Sequence, residues 1–420
     1  MIHLALLGGQ PTVTTPFPTW PVFDQPEVEA VSKVVESGQW WMGKNGHPAV
    51  KDLEAAFAKF QSSQSALAVT NGVHALEIIL RSLGIGPGDE VIVPAYAPGT
   101  TAMTILQVGA TPILAEVKLD TMTLAPESLR RMLSPRTRAV IPVHLNGVTG
   151  EIDQILSIAQ AHRIFVVEDC THAHGAESRG RRVGSLGIAG AFDFQDCRMI
   201  AAGEGGMIVT RDHKLYEKCW SQHNCGRRFG KSPTGYYAVG TNYRMAPFQA
   251  AIARLQLERF KLQLPQRLKN MGLLDQGLSQ IPGIIPQRRN LQDQAPAYLY
   301  LFRYDAATFN GLARDRLIAA LQAEGVPCQI PEYNALHQLS LFQQGRLEAE
   351  APANSGNLPS TALLESAALT FPHAELLAKT TIALPHSVML GDAYQIQEIV
   401  EAVAKIQKYA PLLPCSLTHL

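Results

Sequence analysis

The sequence predicts an α/β fold: a large domain built on a mostly parallel sheet, followed by a smaller α+β domain. Three observations carry this reading. From Leu67 to Val167 short apolar runs alternate with amphipathic helical stretches, a rhythm that calls for right-handed crossovers and a sheet covered on both faces. From Ile164 to Thr210 several strand ends bring polar residues to one sheet edge, where open α/β sheets bind ligands. Beyond the helix that starts at Pro247 the alternation gives way to mixed helices and strands, so the chain divides into 1–255, an arm plus the large domain, and 256–420, the small domain.

The composition is that of an ordinary globular protein, with 420 residues, 46% hydrophobic and 17% charged, enough to bury a sizeable core. Lys+Arg and Asp+Glu balance at 36 each, which removes the electrostatic case for nucleic acid or an anionic membrane and leaves a small-molecule ligand as the expected partner. Six cysteines without a C-x-x-C pair suit free thiols in a reducing compartment. MIHLALLGGQP has no basic leader and too short an apolar run for a signal peptide or a membrane span, so a cytoplasmic location is expected.

Taken in order, residues 1 to about 25 are rich in Pro and Thr and read as an extended arm. Helices are expected over Pro26–Gly38 and Pro48–Phe60, each with one apolar face, separated by a loop holding Trp40, Trp41, Gly43 and Gly46. Strands follow at Leu67–Val69, Val91–Tyr96, Pro112–Val117, Ala139–Leu145 and Phe165–Val167, with helices between them from Asn71-Gly72, Thr100–Val108, Pro126–Leu133 and Ile152–Ala161. The Ile164–Val167 strand ends on Glu168 and Asp169; Ala191–Phe194 and Met207–Thr210 are further strands, the second launched from the turn Gly203-Glu204-Gly205-Gly206. After a helix at Lys214–Gln222, the glycine- and tyrosine-rich stretch Cys225–Pro247 reads as a functional loop. Then come a helix from Pro247 to Phe260 stopping near Pro265, another near Arg267–Ser279, a strand at Tyr298–Tyr304, a helix at Arg314–Gly325, a polar loop at Gln343–Ala362 and a closing helix at Tyr394–Tyr409.

Single motifs are weak. Asn71-Gly72-Val73 opening a helix offers free N–H groups to an anion, as many helix openings do. Asp169 at a strand end suits either a cap or a partner for a protonated ring nitrogen. His172 and His174 lack a third ligand at a defined spacing, so no metal site is expected.

Together and in order, TNGVHALEIILRSLGIGPGDEVIVPAY, IPVHLNGVTG, VVEDCTHAHGA, GAFDF, AAGEGGMIVT and GTNYRMAPFQAAI resemble the DegT/DnrJ/EryC1/StrS aminotransferases, sugar and cyclitol aminotransferases of pyridoxal phosphate (PLP) fold type I. The resemblance runs from Trp20 to the last helix. It implies a homodimer with shared active sites, Asp169 beneath the pyridine nitrogen, Asn71, Gly72, Val73 and Tyr96 around the cofactor, and Asn242 reaching the neighbouring subunit's phosphate site. An acid on that nitrogen keeps the ring an electron sink.

The same resemblance exposes departures. Arg198 stands where the family has its Schiff-base lysine, and a guanidinium stays protonated and forms no imine. The loop Gln195–Gly206 holds no lysine, and the next one, Lys214, lies beyond the following strand. Asp193 replaces a phosphate-binding serine, placing a carboxylate where a dianion would sit. Val73 replaces a hydroxyl donor, Pro98 replaces the aromatic that stacks on the ring, with Tyr96 the residue that could take over part of that cover, and His172 stands where glutamine is frequent. Asp193 and Arg198 are expected to pair.

The reading is a family homologue without lysine-dependent transamination. No covalent cofactor is expected, and the pocket is turned to another sugar-, cyclitol- or amine-like small molecule in specialised metabolism. Two alternatives stay open: an enzyme holding PLP or its amine form (PMP) non-covalently, and a non-catalytic partner of an active homologue. The groups expected to act are Arg198, Asp169, His172 and Asp193, with Glu204, and with Tyr243, Asn242 and Arg244 from the second subunit. Arg198 would clamp an anion, and His172 or Asp169 would move the proton.

Overall fold

A seven-stranded sheet organises the large domain in the computed structural model, which describes residues 4–42, 46–230, 235–343 and 369–413. Its strands are β1 (Ser65–Val69), β2 (Glu90–Pro94), β3 (Thr111–Ala115), β4 (Thr137–Val140), β5 (Phe165–Asp169), β6 (Ala189–Asp193) and β7 (Gly206–Thr210), in the order β1-β7-β6-β5-β4-β2-β3. β3, β2, β4, β5 and β6 pair in parallel; β7 runs against both β6 and β1. The sheet is therefore mostly parallel, as the strand–helix alternation requires. β2, β6 and β7 are buried at every residue, the burial pattern of strands covered on both faces.

The helices of this part are α1 (Gln25–Glu36), α2 (Pro48–Phe60), α3 (Gly72–Ser82), α4 (Gly99–Gln107), α5 (Pro126–Met132), α6 (Ile152–His162) and α7 (His213–His223). α3 matters most for the site. Asn71 caps it by accepting the His74 N–H at 2.8 Å, and Ala75, Leu76, Ile78, Ile79 and Leu80 anchor it in the core, so its N-terminus is held rigidly at the sheet edge.

One expectation is corrected. The chain does not stop near Pro265: α8 is a continuous helix of 32 residues, Pro247–Leu278, with Pro265 inside it. An interior proline costs about 3 kcal/mol, but Met271, Leu274 and Leu278, all buried beyond it, each contribute roughly 2 kcal/mol. Burial wins, and α8 runs from the first core into the second. The boundary expected at 255/256 falls inside this helix.

The second core gathers Met271, Leu274 and Leu278 with β8 (Ile284–Pro286), β9 (Leu299–Tyr304) and β10 (Thr381–Pro385), an antiparallel sheet in the order β8-β9-β10, and with the helices Arg314–Ala323 and Ala393–Tyr409. Leu4 and Val13 of the arm also pack there, tied by Glu324, whose carboxylate accepts from the N–H groups of Ala5 (2.9 Å) and Thr12 (3.0 Å). The arm thus bridges the two parts. The loop expected at Gln343–Ala362 lies almost wholly outside the described residues.

Candidate active site

β6 delivers Asp193 to the sheet edge, and the loop between β6 and β7 turns Arg198 back onto it. Backbone bonds close that loop: Phe194 N–H to Gly205 O (2.8 Å), Ala202 N–H to Phe194 O (2.8 Å) and Arg198 N–H to Gln195 O (2.9 Å). Distant residues grip its outside, with the Trp20 indole N–H on Asp196 O at 2.7 Å and His386 Nε2 on Cys197 O at 3.0 Å. Because Arg267 Nη1 donates to His386 Nδ1 (3.1 Å), the His386 proton must sit on Nε2, which makes Nε2 the donor to Cys197.

Within this frame Arg198 Nε donates to Asp193 Oδ2 at 2.9 Å, and the guanidinium carbon lies 4.5 Å from the centroid of the Tyr298 ring. Burial pulls the Arg198 guanidinium down, but the Asp193 charge, helped by Tyr298 and Cys197, more than offsets it and holds the group above its ordinary value. The other Asp193 oxygen, Oδ1, accepts the Gly72 N–H at 3.1 Å in the first turn of α3. Glycine is needed there: a Cβ would stand 2.8 Å from Asp193 Cβ and from Thr171 Cγ2. Gly206, opposite Asp193 in the β6–β7 register, is tighter still: a Cβ there would run into the Asn71 carbonyl.

Asp169, at the end of β5, is held by neutral donors. Thr101 Oγ1 donates to Oδ2 at 2.7 Å, while Thr171 gives Oδ1 both its hydroxyl (2.7 Å) and its N–H (3.1 Å). Three of roughly four lone-pair positions are thereby taken.

His172 is buried, stacked on Tyr298 with centroids 4.6 Å apart, and its Nδ1 lies 3.2 Å from the Tyr333 hydroxyl. The proton can be placed by elimination. Leu299 N–H donates to Asn146 Oδ1 (3.1 Å), fixing that atom as the amide oxygen, so Tyr333 must donate to it (3.0 Å) and has only its own oxygen left to accept from His172. His172 therefore carries its hydrogen on Nδ1, and Nε2 is the ring's basic atom. Burial, then the charge of Arg198, holds His172 well below its usual value, so the ring is neutral. His174 is pushed to about 3 by the same two causes, partly opposed by the Asp193 backbone.

The remaining expected residues are placed as follows. Val73 follows Gly72 in α3, adding no donor, and Pro98 caps α4. Tyr96 is fully buried against Tyr333, ring centroids 5.9 Å apart, in the core rather than over an open face. Tyr243 stacks on His74 at 4.1 Å and reaches the Glu77 carboxylate at 3.2 Å, both on α3. Asn242 is exposed and pairs with Asn224 through a backbone bridge. Arg244 donates to Asn224 Oδ1 at 3.0 Å and shares a cavity of about 390 Å³ with Asn71, Glu204 and Gln249. Glu204 is raised by burial and by the charges of Asp193 and Asp196. Sequence reasoning missed Thr101, Asn146, Tyr298, Tyr333 and His386. Only Asn146 carried a signal, an Asn-Gly pair, and it does adopt a left-handed φ of 55°.

Among the described residues one other group converges, His144, Glu168 and Cys170. Glu168 there accepts from His144 Nε2 (2.8 Å) and from the N–H groups of Gly184, Leu186 and Gly187 (2.7–2.8 Å), so its oxygens are committed to tying the β5–β6 connection.

A mostly parallel sheet with one reversed strand, a second α+β core fed by a long helix, and a strand-end aspartate beside a helix N-terminus define a PLP fold type I aminotransferase scaffold. The solved structure of 3-amino-5-hydroxybenzoic acid (AHBA) synthase matches it with a TM-score of 0.84 at 30% identity, over 94% of this chain and 100% of that one. The profile of the DegT/DnrJ/EryC1/StrS aminotransferase family covers residues 21–404, and the chain belongs to that family. A relative from Streptoalloteichus tenebrarius, a putative L-glutamine:3-amino-2,3-dideoxy-scyllo-inosose aminotransferase, is 35% identical over 97% of this chain and 98% of its own length. The 3-amino-5-hydroxybenzoate synthase of Amycolatopsis mediterranei is 32% identical over 92% and 96%. No helix among the described residues is long and apolar enough to cross a membrane.

Proposed function

We propose that this chain is a family homologue that does not carry out lysine-dependent transamination, and that its cleft acts on an unphosphorylated polyol-, cyclitol- or amine-like molecule. The observation that carries the reading is Arg198, bound to Asp193 in a loop with no lysine between Gln195 and Gly206. The pyridoxal cofactor that such aminotransferases use supplies an electron sink and needs an amine to hold it and a seat for its phosphate. The residues present do not fit it: the guanidinium offers no free amine, and the Gly72 N–H already serves a carboxylate.

What remains is a set suited to proton transfer beside a fixed cation. His172 keeps a free Nε2 lone pair on a ring locked by Tyr333 and Asn146, which suits it to orient a substrate hydroxyl; burial and the Arg198 charge disfavour its protonated form, which leaves Asp169 as the group to move the proton. Arg198, already engaged by Asp193, forms with it a pair that is neutral as a unit and fixes the polar wall beside that ring. The relatives named for scyllo-inosose aminotransferases support a cyclitol-like substrate, and a homodimer is supported by the exposed Trp40, Trp41, Tyr236, Tyr237 and Val239. The five described cysteines are free thiols, in keeping with a cytoplasmic setting.

Absorbance spectra of the purified protein with added PLP, before and after borohydride, test the reading. The expected result is no imine band and no reducible adduct. A band that borohydride bleaches into a stable protein adduct refutes it.

A further inference from the structure

We infer that Asp193 is the built-in occupant of an oxyanion seat, and that its carboxylate is what makes this cleft reject phosphate-bearing ligands. The inference rests on the proposal that the cleft works without a covalent cofactor, and it goes further by naming the residue that sets ligand class.

Two groups that recognise oxyanions converge on one side chain. The Gly72 N–H at the start of α3 is one, reinforced by the positive end of an 11-residue helix. The Arg198 guanidinium is the other, fixed by a closed loop and lying against Tyr298. Each grips a different oxygen of the same carboxylate, Oδ1 and Oδ2. A planar anion held between a helix N-terminus and a guanidinium is the arrangement by which proteins hold phosphate or a free carboxylate. Here the anion belongs to the chain itself, because Asp193 lies at the end of β6 and Gly72 has no Cβ to keep it away.

The surroundings say what a ligand would meet. The Asp193–Arg198 pair is neutral as a unit. Glu204 and Asp196 lie close enough for their charges to bear on each other and on Asp193, and the neighbouring histidines His172, His174 and His386 are all held neutral. A phosphate dianion entering this edge would meet three carboxylates, with Arg198 already engaged by Asp193 and with Arg244, beside Glu204 and Asn71, bonded to Asn224. A neutral polyol or a cationic amine meets no such penalty.

Removing the carboxylate should therefore open the seat. Inorganic phosphate is titrated calorimetrically into the wild-type protein, Asp193→Ser, Asp193→Asn and Asp193→Ser/Arg198→Gln. The expected order is no saturable binding for wild type, a gain of at least about tenfold for Asp193→Ser, a smaller gain for Asp193→Asn, whose amide oxygen can still take the Gly72 N–H, and loss of the gain in the double variant. Asp193→Asn keeps shape and one hydrogen bond, so it carries the test if Asp193→Ser folds poorly. Phosphate binding to wild type as tight as to Asp193→Ser, or a gain that survives the loss of Arg198, overturns the inference. The probe forms no imine, so this outcome is independent of the borohydride experiment.

Discussion

Asp169 and Asp193 end neighbouring parallel strands of one sheet, on the same edge, and they are held by opposite means. Asp169 is surrounded by hydroxyls and an N–H from Thr101 and Thr171, which stabilise its charge without neutralising it. Asp193 is bound by a full cation and by a helix N-terminus. Among the described residues no cation is bonded to Asp169, and its three donors are all neutral. The Asp193 end is closed on itself. Along one sheet edge, one carboxylate is held by neutral donors alone and the other has internalised its own counter-ion.

The largest effect should come from breaking that internal pair. Arg198 and Asp193 side chains are only 14% and 11% exposed, and removing one member of a buried pair typically costs 3–5 kcal/mol. Asp193 would keep the Gly72 N–H, so Arg198→Ala is expected to lower unfolding free energy by about 3 kcal/mol in urea at pH 7.5. Adding Asp193→Ser to it should restore a good part, because no stranded carboxylate is left. If the two substitutions simply add, the pair is no more than a surface contact and the contrast with Asp169 disappears.

This contrast was partly legible from the amino-acid order. Asp169, Asp193 and Arg198 all fall in the Ile164–Thr210 stretch, where strand periodicity and glycine turns fix their places, and the five-residue spacing of Asp193 and Arg198 across one loop made their pairing foreseeable. What holds them was not. Tyr298, Tyr333 and His386 come from the second half of the chain, where no periodic signal separates a buried aromatic in a core from one lining a cleft. Thr101 looks like any helix residue until α4 is docked beside β5. The continuity of α8 through Pro265 was equally hidden, because a local breaker is outweighed by burial that only the assembled core supplies.

A second difference between the two ends is their acid response. The Arg198 side is lined by His172, His174 and His386, all depressed by burial first and then by nearby guanidinium charge: Arg198 for His172 and His174, chiefly Arg267 for His386. For His174 the folded value of about 3 lies below the unfolded value of about 6.5, so the unfolded chain binds the proton more readily. Its contribution is complete above pH ~6.5 and is lost as pH falls, by about 1.4 kcal/mol per pH unit. His174→Phe fills the same space between Phe192 and Phe194 without a titrating ring. Chemical denaturation at pH 7 and pH 4.5 should show wild type losing roughly 2 kcal/mol more than His174→Phe over that interval. Equal losses in the two proteins would place the acid sensitivity elsewhere.

The smallest expected effect probes the Asp169 end. Thr101→Val keeps the shape of the side chain and removes one donor from Oδ2, while both Thr171 donors stay on Oδ1. A hydrogen bond to a charged acceptor is worth about 1.5–3 kcal/mol, and because Thr101 and Asp169 are both buried the lost hydroxyl is not replaced from solvent; with two donors still on Oδ1 the expected cost is about 1.5 kcal/mol. The measurement is the same urea titration used for Arg198→Ala. A cost matching that of Arg198→Ala would mean Asp169 is as dependent on a single partner as Asp193 is, and the two ends of the cleft would then differ in the identity of their donors but not in how tightly they are bound.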